Sequence, residues 1–396
     1  LIAAAMVVGV ALLILFLAIG DGTHAQWVDT GVRLAGGHVT IETAAFERSA
    51  SVDDRLDSAG AAVVMRALAE PTVSPRVAAA APRLTVSGLA SSASSALPVQ
   101  VLGVDPRTES RFSILPAKLT AGRFLGDTDN TAAVVGRGLL DRLDLQLGSR
   151  FVVTAQTARG EVQEQLLHVA GVFRTGVREV DEGIVIMPLA AAQRWVRTAR
   201  GVTSVAVLLH DVNDVPAVVR ELGPLLPRGT RAFTWRETSP ELDAAIRVDN
   251  LGGYLFNGIL LAIVSLAVLE ALLVAVLHRR REFGLLHAIG LSAGETSLVV
   301  LGEGMLLALV SGAGGMGLGL GITAILHHTG LDLTAVFGNQ LTVSGAIVDP
   351  VFYPTVRLAR AWQGTIVVLA LGVLSSVYPM WQASRIDVAD AMQIDL

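Results

Sequence analysis

The chain has 396 residues, 52% of them hydrophobic and only 16% charged, and its mean hydropathy is +0.58. Because soluble domains carry about 25% charged residues, this composition favours a membrane protein. The net charge of -5, without a basic tract, argues against nucleic acid as a partner. The absence of cysteine excludes disulfides, thiolate metal ligands and a cysteine nucleophile.

The hydrophobic residues concentrate in four runs, and a helix that crosses a bilayer needs about 20 apolar residues. The four predicted transmembrane helices are residues 1–20, 251–277, 297–326 and 363–380. The first run also has the character of a cleaved signal peptide, but the hydrophobic part of a signal peptide is only about 7–15 residues long. We therefore expect a transmembrane helix whose cytoplasmic lead-in is missing from the sequence.

Short β-rich runs alternate with helix-like segments between the first two predicted spans, over residues 21–249. This pattern predicts an α+β domain, which we place outside the cytoplasm. Arginines occur throughout it, but they do not argue against that side, because long translocated domains escape the positive-inside bias. Residues 90–96, rich in Ala and Ser, are predicted to be an exposed loop. The expected strands are residues 38–41, 99–104, 132–135, 150–154, 166–172, 183–187, 202–209 and 231–235, and the expected helices are residues 53–68, 139–145, 190–196 and 215–226.

A further helix is expected to begin near Pro240 and to run unbroken into the second span. Proline suits the first helical turn, and Glu241 and Asp243 complement the positive end of the helix dipole. A continuous helix of this kind would connect the inserted domain to the membrane.

The second span ends at the basic run His-Arg-Arg-Arg of residues 278–281, which marks the cytoplasmic side. A short amphipathic segment follows, with Phe283, Leu286 and the pair Ile289–Gly290 near one face. The pattern fits an ordinary interfacial helix and a contact for a cytoplasmic partner equally well. After the third span, residues 330–361 are predicted to form an external loop, and residues 383–396 a cytoplasmic tail.

The third span is rich in glycine. Gly312, Gly314 and Gly317 match the letters of a dinucleotide-binding motif, but no strand precedes them and they lie in an apolar run, which argues against such a site. Pairs of glycines four residues apart favour close packing between membrane helices instead. The glycines predicted to pack in this way are Gly315, Gly319, Gly317 and Gly321.

Two carboxylates, Glu270 and Glu303, lie within the predicted spans, where charge is costly and usually functional. They could relay protons or ions, or they could form interhelical hydrogen bonds in the protonated form. The second interpretation is favoured because the spans contain no Lys or Arg to pair with them. His327 and His328 are interpreted as a pair at a loop edge rather than as metal ligands.

The chain lacks the G-x-x-x-x-G-K-[ST] loop, so it cannot hydrolyse ATP by that route, and it has no G-x-S-x-G or H-E-x-x-H motif. We therefore predict no catalytic, cofactor-binding or metal-binding residue in this chain. The protein is not expected to be an enzyme by itself.

Several motifs together resemble the FtsX-like permease family, the MacB and LolC/LolE type of ABC transporter subunit. Residues 278–290, HRRREFGLLHAIG, resemble the family's E-R-x-R-E-[FI]-G-[IV]-L-x-A-[LI]-G, with His278 in place of the first Glu. The third span resembles E-x-x-L-L…G…G, and residues 378–392 resemble Y-P-A-x-x-A-x-R-x-D-P-A-x-A-L. Five further segments resemble the lipoprotein-releasing branch of the family: residues 37–41, 103–106, 122–125, 171–176 and 348–354.

This resemblance implies a multi-pass α-helical membrane protein with four transmembrane helices and a large inserted α+β extracytoplasmic domain, the MacB-like periplasmic core. The FtsX-like permease domain would then be residues 250–396, in the bacterial cytoplasmic (inner) membrane. Its coupling helix, residues 281–291, would dock on a cytoplasmic ABC ATPase of the LolD or MacB kind. The residues that match the family motif there are Arg281, Glu282, Phe283, Gly284, Leu286, Ala288, Ile289 and Gly290.

The implied function is that of a permease subunit that pairs with a second permease subunit. ATP and Mg²⁺ would be bound by the ATPase, and ATP-driven motion would pass through the spans to the outer domain, a process called mechanotransmission. The outer-domain motifs favour lipoprotein release from membrane lipid. The alternatives are MacB-like export of drugs, peptides or toxins with an outer-membrane channel, and FtsX-like regulation of a cell-wall hydrolase or a sensor kinase.

Overall fold

The computed structural model describes residues 2–34, 36–157, 160–279, 282, 285–286, 288–332, 334–337, 341–343, 346–348 and 351–383. They fall in two compact units, which we call the helical unit and the sheet unit. The helical unit comprises Leu1–Ala25, Ile246–Gly338 and Pro350–Leu396, and the sheet unit comprises Gln26–Ala245 and Asn339–Asp349. The predicted cytoplasmic tail lies outside the described residues except for its first residue, Ala383.

The helices of the described residues range from one turn to 39 residues. In chain order they are α1 (Ile2–Leu34), α2 (Ala44–Ser49), α3 (Ser58–Leu68), α4 (Pro106–Phe112), α5 (Arg137–Arg142), α6 (Arg178–Gly183), α7 (Leu189–Trp195), α8 (Val215–Leu222), α9 (Trp235–Thr238), α10 (Pro240–His278), α11 (Ala293–Thr329), α12 (Thr334–Phe337) and α13 (Leu358–Ala383).

The strands lie mainly in the sheet unit. They are β1 (Val39–Thr43), β2 (Val77–Ser91), β3 (Ala96–Val104), β4 (Leu119–Gly122), β5 (Ala132–Gly136), β6 (Arg150–Gln156), β7 (Val162–Phe173), β8 (Ile184–Pro188), β9 (Ser204–Leu209), β10 (Thr230–Thr234), β11 (Leu331–Asp332), β12 (Leu341–Val343), β13 (Ala346–Val348) and β14 (Val351–Phe352).

The first ten strands form one mixed sheet in the order β10-β1-β9-β2-β3-β8-β5-β7-β4, and β6 pairs with both β2 and β7. The path β2-β3-β8-β5-β7-β6 therefore returns to β2 and closes into a small barrel. Strands β9, β1 and β10 extend the sheet from the first half of β2.

Side chains from all six barrel strands meet in one apolar core, because successive residues of a strand point to opposite faces. Helices α5 and α7 pack on the same core. Members include Leu84 and Val86 of β2, Val101 of β3, Val135 of β5, Phe151 of β6, Val169 of β7, Val185 of β8, Leu139 of α5 and Trp195 of α7. The intervening residues of β2 and β3 face away from this core.

All eight strands expected from the sequence are present. In the same sheet β2 and β4 were not predicted, and the short strands β11 to β14 lie in residues predicted to form the external loop. The first half of β2 reads VAAAAP, and alanine and proline are poor strand formers, so its β character is hidden. Pro82 lies within the β2–β9 pairing, opposite Val205. The predicted loop at residues 90–96 is shorter than expected, because β2 continues to Ser91 and β3 begins at Ala96.

Within the part of the chain that the structure describes, three helices are long and apolar enough to cross a membrane: Met6–Leu34, Gly294–Thr329 and Leu358–Tyr378. The remaining predicted span, residues 251–277, lies within α10, so a total of four spans stays a prediction. Helix α10 runs without interruption for 39 residues from Pro240, which confirms the expected continuous helix. Helix α1 continues to Leu34, well beyond the predicted end of the first span.

Candidate functional site

The candidate site is the coupling segment, residues 281–291, between α10 and α11. Of its predicted contact residues, Arg281, Phe283 and Gly284 lie outside the described residues. Glu282, Leu286 and Ala288 are helical, and Ile289 and Gly290 form the turn that follows.

Arg279 at the end of α10 links the coupling segment to the next membrane helix. Its Nε donates to the carboxylate of Glu282 at 2.7 Å, and one terminal nitrogen donates to Glu303 of α11 at 2.8 Å. The expectation that Glu303 lacks a cationic partner is wrong, because an arginine just beyond the apolar run reaches back to it. About half of the Glu303 side chain is exposed (48%), so this carboxylate has an ionic partner and access to solvent.

The other predicted intramembrane carboxylate, Glu270, is exposed on α10. Among the described residues it has no hydrogen bond or ion pair. It therefore offers no evidence for the interhelical hydrogen bond that we expected, and its role stays a prediction.

The apolar residues of the coupling segment divide between two directions. Leu286 packs against Val276 of α10, Val300 of α11 and Met380 of α13. Ile289, in contrast, is 71% exposed. Leu286 and Ile289, which were predicted to lie near one face, therefore differ in their surroundings: Leu286 is partly buried against three helices, whereas Ile289 is accessible. Their role as contact residues stays a prediction.

Leu285 is the residue that the sequence interpretation missed. It is 60% exposed and stands four residues before Ile289, so the two side chains are neighbours on one helical face. The backbone N–H of Ile289 donates to the carbonyl of Leu285 at 3.1 Å, which closes that turn. The i, i+4 spacing in the sequence could have identified this pair.

Gly290 ends the segment in a way that requires glycine. Its φ is +108°, a conformation that side chains with a Cβ rarely adopt. The N–H of Leu291 donates to the carbonyl of Leu286 at 3.0 Å, the bond that characterises a Schellman helix terminus. Ser292 then caps α11 in a capping box with Glu295. A short turn that contains these hydrogen bonds thus joins the coupling segment to α11.

The four glycines predicted to pack fall into two groups. A Cβ at Gly315 would lie 2.5 Å from Cβ of Val10 and 2.7 Å from the carbonyl oxygen of Val7, and a Cβ at Gly319 would lie 2.9 Å from Cβ of Ile14. These two glycines allow α11 to approach α1 closely. Nothing lies within 4 Å of a Cβ placed on the other two, Gly317 and Gly321.

Polar contacts connect the remaining helices of the helical unit. The hydroxyls of Ser265 on α10 and Ser375 on α13 are 3.0 Å apart. Within α1, Asp21 forms an ion pair with Arg360 of α13. The sequence alone did not pair these residues, which are far apart in the chain.

The histidines at the end of α11 do not form a metal site in the described residues. Nδ1 of His327 lies 3.1 Å from the carbonyl oxygen of Pro354, and the two imidazole rings of His327 and His328 stack edge to face. No group of three or more His, Asp or Glu residues in the described part of the chain is arranged to hold a metal ion.

The outer-domain motif at residues 37–41 serves the fold of the sheet unit. Gly37 has φ +86°, and a Cβ there would lie 2.5 Å from the carbonyl oxygen of Val207. His38 is buried, and its Nδ1 accepts the N–H of Leu209 at 3.0 Å. Burial lowers the pKa of His38, so the ring stays neutral and holds β1 beside β9.

Two family models match this chain. The model of the MacB-like periplasmic core domain matches residues 1–225, and that of the FtsX-like permease C-terminal domain matches residues 254–388. The two matches leave only a short stretch between them, which contains the start of α10.

Curated relatives match over most of the length. The lipoprotein-releasing system transmembrane protein LolC of Xylella fastidiosa is 23% identical over 399 residues, covering 98% of this chain and 91% of the relative. LolC of Neisseria meningitidis serogroup B is 23% identical over 336 residues, covering 81% of this chain and 79% of the relative. The macrolide export ATP-binding/permease protein MacB of Rhodospirillum rubrum is 26% identical and covers 82% of this chain but only 50% of the relative.

Two solved structures with some likeness are described as an extracellular domain and a periplasmic region. The extracellular domain of the ABC-type transporter YknZ from Gram-positive bacteria has a TM-score of 0.36 and 14% identity, and covers 50% of this chain and 99% of that domain. The periplasmic region of MacB from Actinobacillus actinomycetemcomitans has the same TM-score and identity, and covers 51% and 91%. The family assignment rests on the sequence matches instead: this chain belongs to the family of FtsX-like, MacB-type ABC transporter permeases.

Proposed function

We propose that this permease couples ATP hydrolysis by a separate cytoplasmic ATPase to the movement of a lipoprotein on the outer side of the bacterial cytoplasmic membrane. The observation that carries this proposal is the near full-length match to LolC, a transmembrane protein of a lipoprotein-releasing system. The absence of a P-loop from the sequence supports placing ATP and Mg²⁺ on a partner subunit.

The ATPase would bind the exposed pair Leu285 and Ile289. Exposed apolar side chains on one helical turn suit insertion into a groove on a partner. Their positions are fixed, because Leu286 between them packs on three membrane helices and Arg279 holds Glu282. A force applied to this pair would therefore act on the helices rather than bend the segment.

Transmission would use α10, which is continuous from Pro240 to His278. Coupling between distant sites needs a contiguous element with more than one arrangement. The Arg279–Glu303 pair would pass the same displacement to α11. A second permease subunit would complete the assembly, and the sheet unit, outside the membrane, would act on the substrate.

Reconstitution tests the transport reaction. The protein, its ATPase and any partner permease subunit encoded with it are placed in liposomes with a fluorescent triacylated lipoprotein and a soluble acceptor. We expect ATP to transfer the lipoprotein to the acceptor, and a non-hydrolysable ATP analogue to leave it in the membrane. Retention of the lipoprotein in the presence of ATP would contradict the proposal.

The docking contact is tested separately by Ile289→Asp. We expect this variant to insert normally but to lose co-purification with the ATPase, because a carboxylate would be buried at the contact. Val162→Asp is the matched control, since Val162 is 69% exposed and lies in the sheet unit. If Ile289→Asp retains the ATPase as well as the control does, the exposed pair is not the docking contact.

MacB-like export is the second candidate function, because the match to MacB covers 82% of this chain. The chain spans half the length of that relative, whose name includes an ATP-binding part. In the same liposomes, ATP-dependent accumulation of a macrolide without lipoprotein transfer would favour this function.

A further inference from the structure

The sheet unit contains a cavity of about 460 Å³ that the proposed transport mechanism does not use. It lies on the outer face of the strands, opposite the barrel core, and is covered partly by α2. A volume of this order is in the range of small-molecule sites, roughly 300–1,000 Å³. Its floor is polar, which is unusual for a surface covered by a helix.

Strand register explains how these polar residues come together. Glu42 of β1 stands opposite Ser204 of β9, which stands opposite Arg83 of β2. Residues directly opposite each other point to the same face of the sheet, so the three side chains form one row. Val39 and Ile41, which point to the other face of β1, are fully buried.

The positive charges around the cavity already have partners in this chain. Two nitrogens of Arg83 donate to the two carboxylate oxygens of Glu109, at 2.6 and 3.2 Å, and both side chains are almost fully buried. Arg231 donates to Glu237 at 2.7 Å. These two acids are thereby neutralised.

Glu42 is different, because it is only 8% exposed and lines the cavity. Among the described residues its carboxyl group has neither a hydrogen bond nor an ion pair. Burial of a carboxylate without a partner is costly, so an incoming cation would remove that cost. Glu47 of α2 lines the same cavity and adds a second acid.

We propose that this cavity binds a small organic cation, with its ammonium or guanidinium group on Glu42. Phe46 also lines the cavity and offers apolar surface and a ring face to the rest of the ligand. The guanidinium of Arg231 already covers one face of the Phe233 ring, at 4.9 Å from its centroid. The excess of unpaired acid selects against anions, and the limited volume selects against a folded protein segment. The residues that line the cavity all belong to the sheet unit.

Binding at this site should depend on pH. Burial, with a smaller contribution from Glu47, raises the pKa of Glu42 to about 7. The charged groups that surround it are Glu47 on α2, Arg83 on β2, Arg231 on β10 and Glu237 on α9. Since a cation binds the ionised carboxylate, its affinity should rise as the pH passes upward through about 7.

Three isosteric probes test the charge preference: benzylammonium, benzyl alcohol and benzoate. Each is titrated by calorimetry into the full chain in phosphatidylcholine nanodiscs, with empty nanodiscs subtracted. We expect benzylammonium to bind at least about tenfold more tightly than either isostere, the effect of one charge-assisted hydrogen bond. Equal binding of all three, or no binding of benzylammonium, would overturn the proposal.

Variants locate the site. Glu42→Gln should reduce benzylammonium affinity about tenfold and abolish its pH dependence, and Glu47→Gln should cause a smaller loss. Glu70→Gln, an exposed acid outside the cavity, is the matched control and should bind like the wild type. Wild-type affinity in both Glu42→Gln and Glu47→Gln would place any binding elsewhere. If Glu42→Gln does not fold, the loss in Glu47→Gln decides the question alone.

Discussion

The sheet unit and the helical unit use the same residue types in opposite ways. In the sheet unit the barrel closes around large apolar side chains such as Phe151 and Leu139, and a charged pair, Arg83 and Glu109, is fully buried beside it. In the helical unit glycine lets two helices approach closely, where Gly315 of α11 meets α1, and the ion pair Arg279–Glu303 remains half-exposed.

This difference in side-chain packing follows from the surroundings of each unit, which are water for the sheet unit and lipid for the helical unit. In water, burial of apolar area drives folding at about 25 cal/mol per Å², and a core can then hold a buried ion pair. Between helices in lipid this driving force is absent, so close van der Waals contact at small residues stabilises the association. The two units should therefore respond differently to the same kind of substitution.

The largest effect is expected from Glu109→Ala in the sheet unit. It leaves the guanidinium of Arg83 buried without its carboxylate, which should lower the free energy of unfolding by about 3–5 kcal/mol. Denaturant unfolding of the chain in nanodiscs, followed by tryptophan fluorescence, measures the loss. The double variant Arg83→Met with Glu109→Leu should recover most of it, because no unpaired charge remains. A loss below about 1 kcal/mol for Glu109→Ala would show that water reaches the pair.

In the helical unit, Gly315→Ala should destabilise by about 1–3 kcal/mol, the range typical of overpacking. The obstacle includes the backbone carbonyl of Val7, which cannot move aside as a side chain can. Gly317→Ala is the matched control in the same helix, where a Cβ meets open space and helix propensity favours alanine. Thermal unfolding in nanodiscs compares the two variants. Equal stability of both would mean that the close contact does not govern the bundle.

The contrast between the units also explains what the sequence could reveal. The length of an apolar run predicts a membrane helix. Alternation of apolar and polar residues predicted the strands around Val101 and Val185, because a strand with one buried face leaves a periodic pattern in the sequence. The sequence could not predict which glycines would contact α1. The rotation of α11 about its own axis decides whether Gly315 or Gly317 faces α1, and the sequence does not specify that rotation. The pairing of Arg279 with Glu303 was hidden for a related reason: the partner lies outside the apolar run and reaches back.

A pH-dependent change in the free energy of unfolding is expected at Glu42, a buried acid of the sheet unit without an ionic partner among the described residues. Its pKa is raised to about 7 in the folded protein, so the unfolded chain ionises first and stability falls as the pH rises from about 4.5 to about 7. Glu42→Gln removes this cost. The variant should match the wild type near pH 4.5 and be more stable by on the order of 1–2 kcal/mol near pH 8. Unfolding curves at both pH values check this, and a constant difference would contradict it.

The smallest effect on stability is expected at the exposed ion pair Arg279–Glu303, in contrast to the buried pair Arg83–Glu109. Glu303→Gln removes the charge that faces Arg279, yet the amide still accepts a hydrogen bond and Glu282 still holds the guanidinium. Because both side chains are about half-exposed, the change in unfolding free energy should stay below about 1 kcal/mol and shrink further in high salt. Thermal unfolding at low and high salt measures it. A loss as large as that of Glu109→Ala would mean that the end of the bundle is as desolvated as the sheet unit, and the comparison between the two ion pairs would fail.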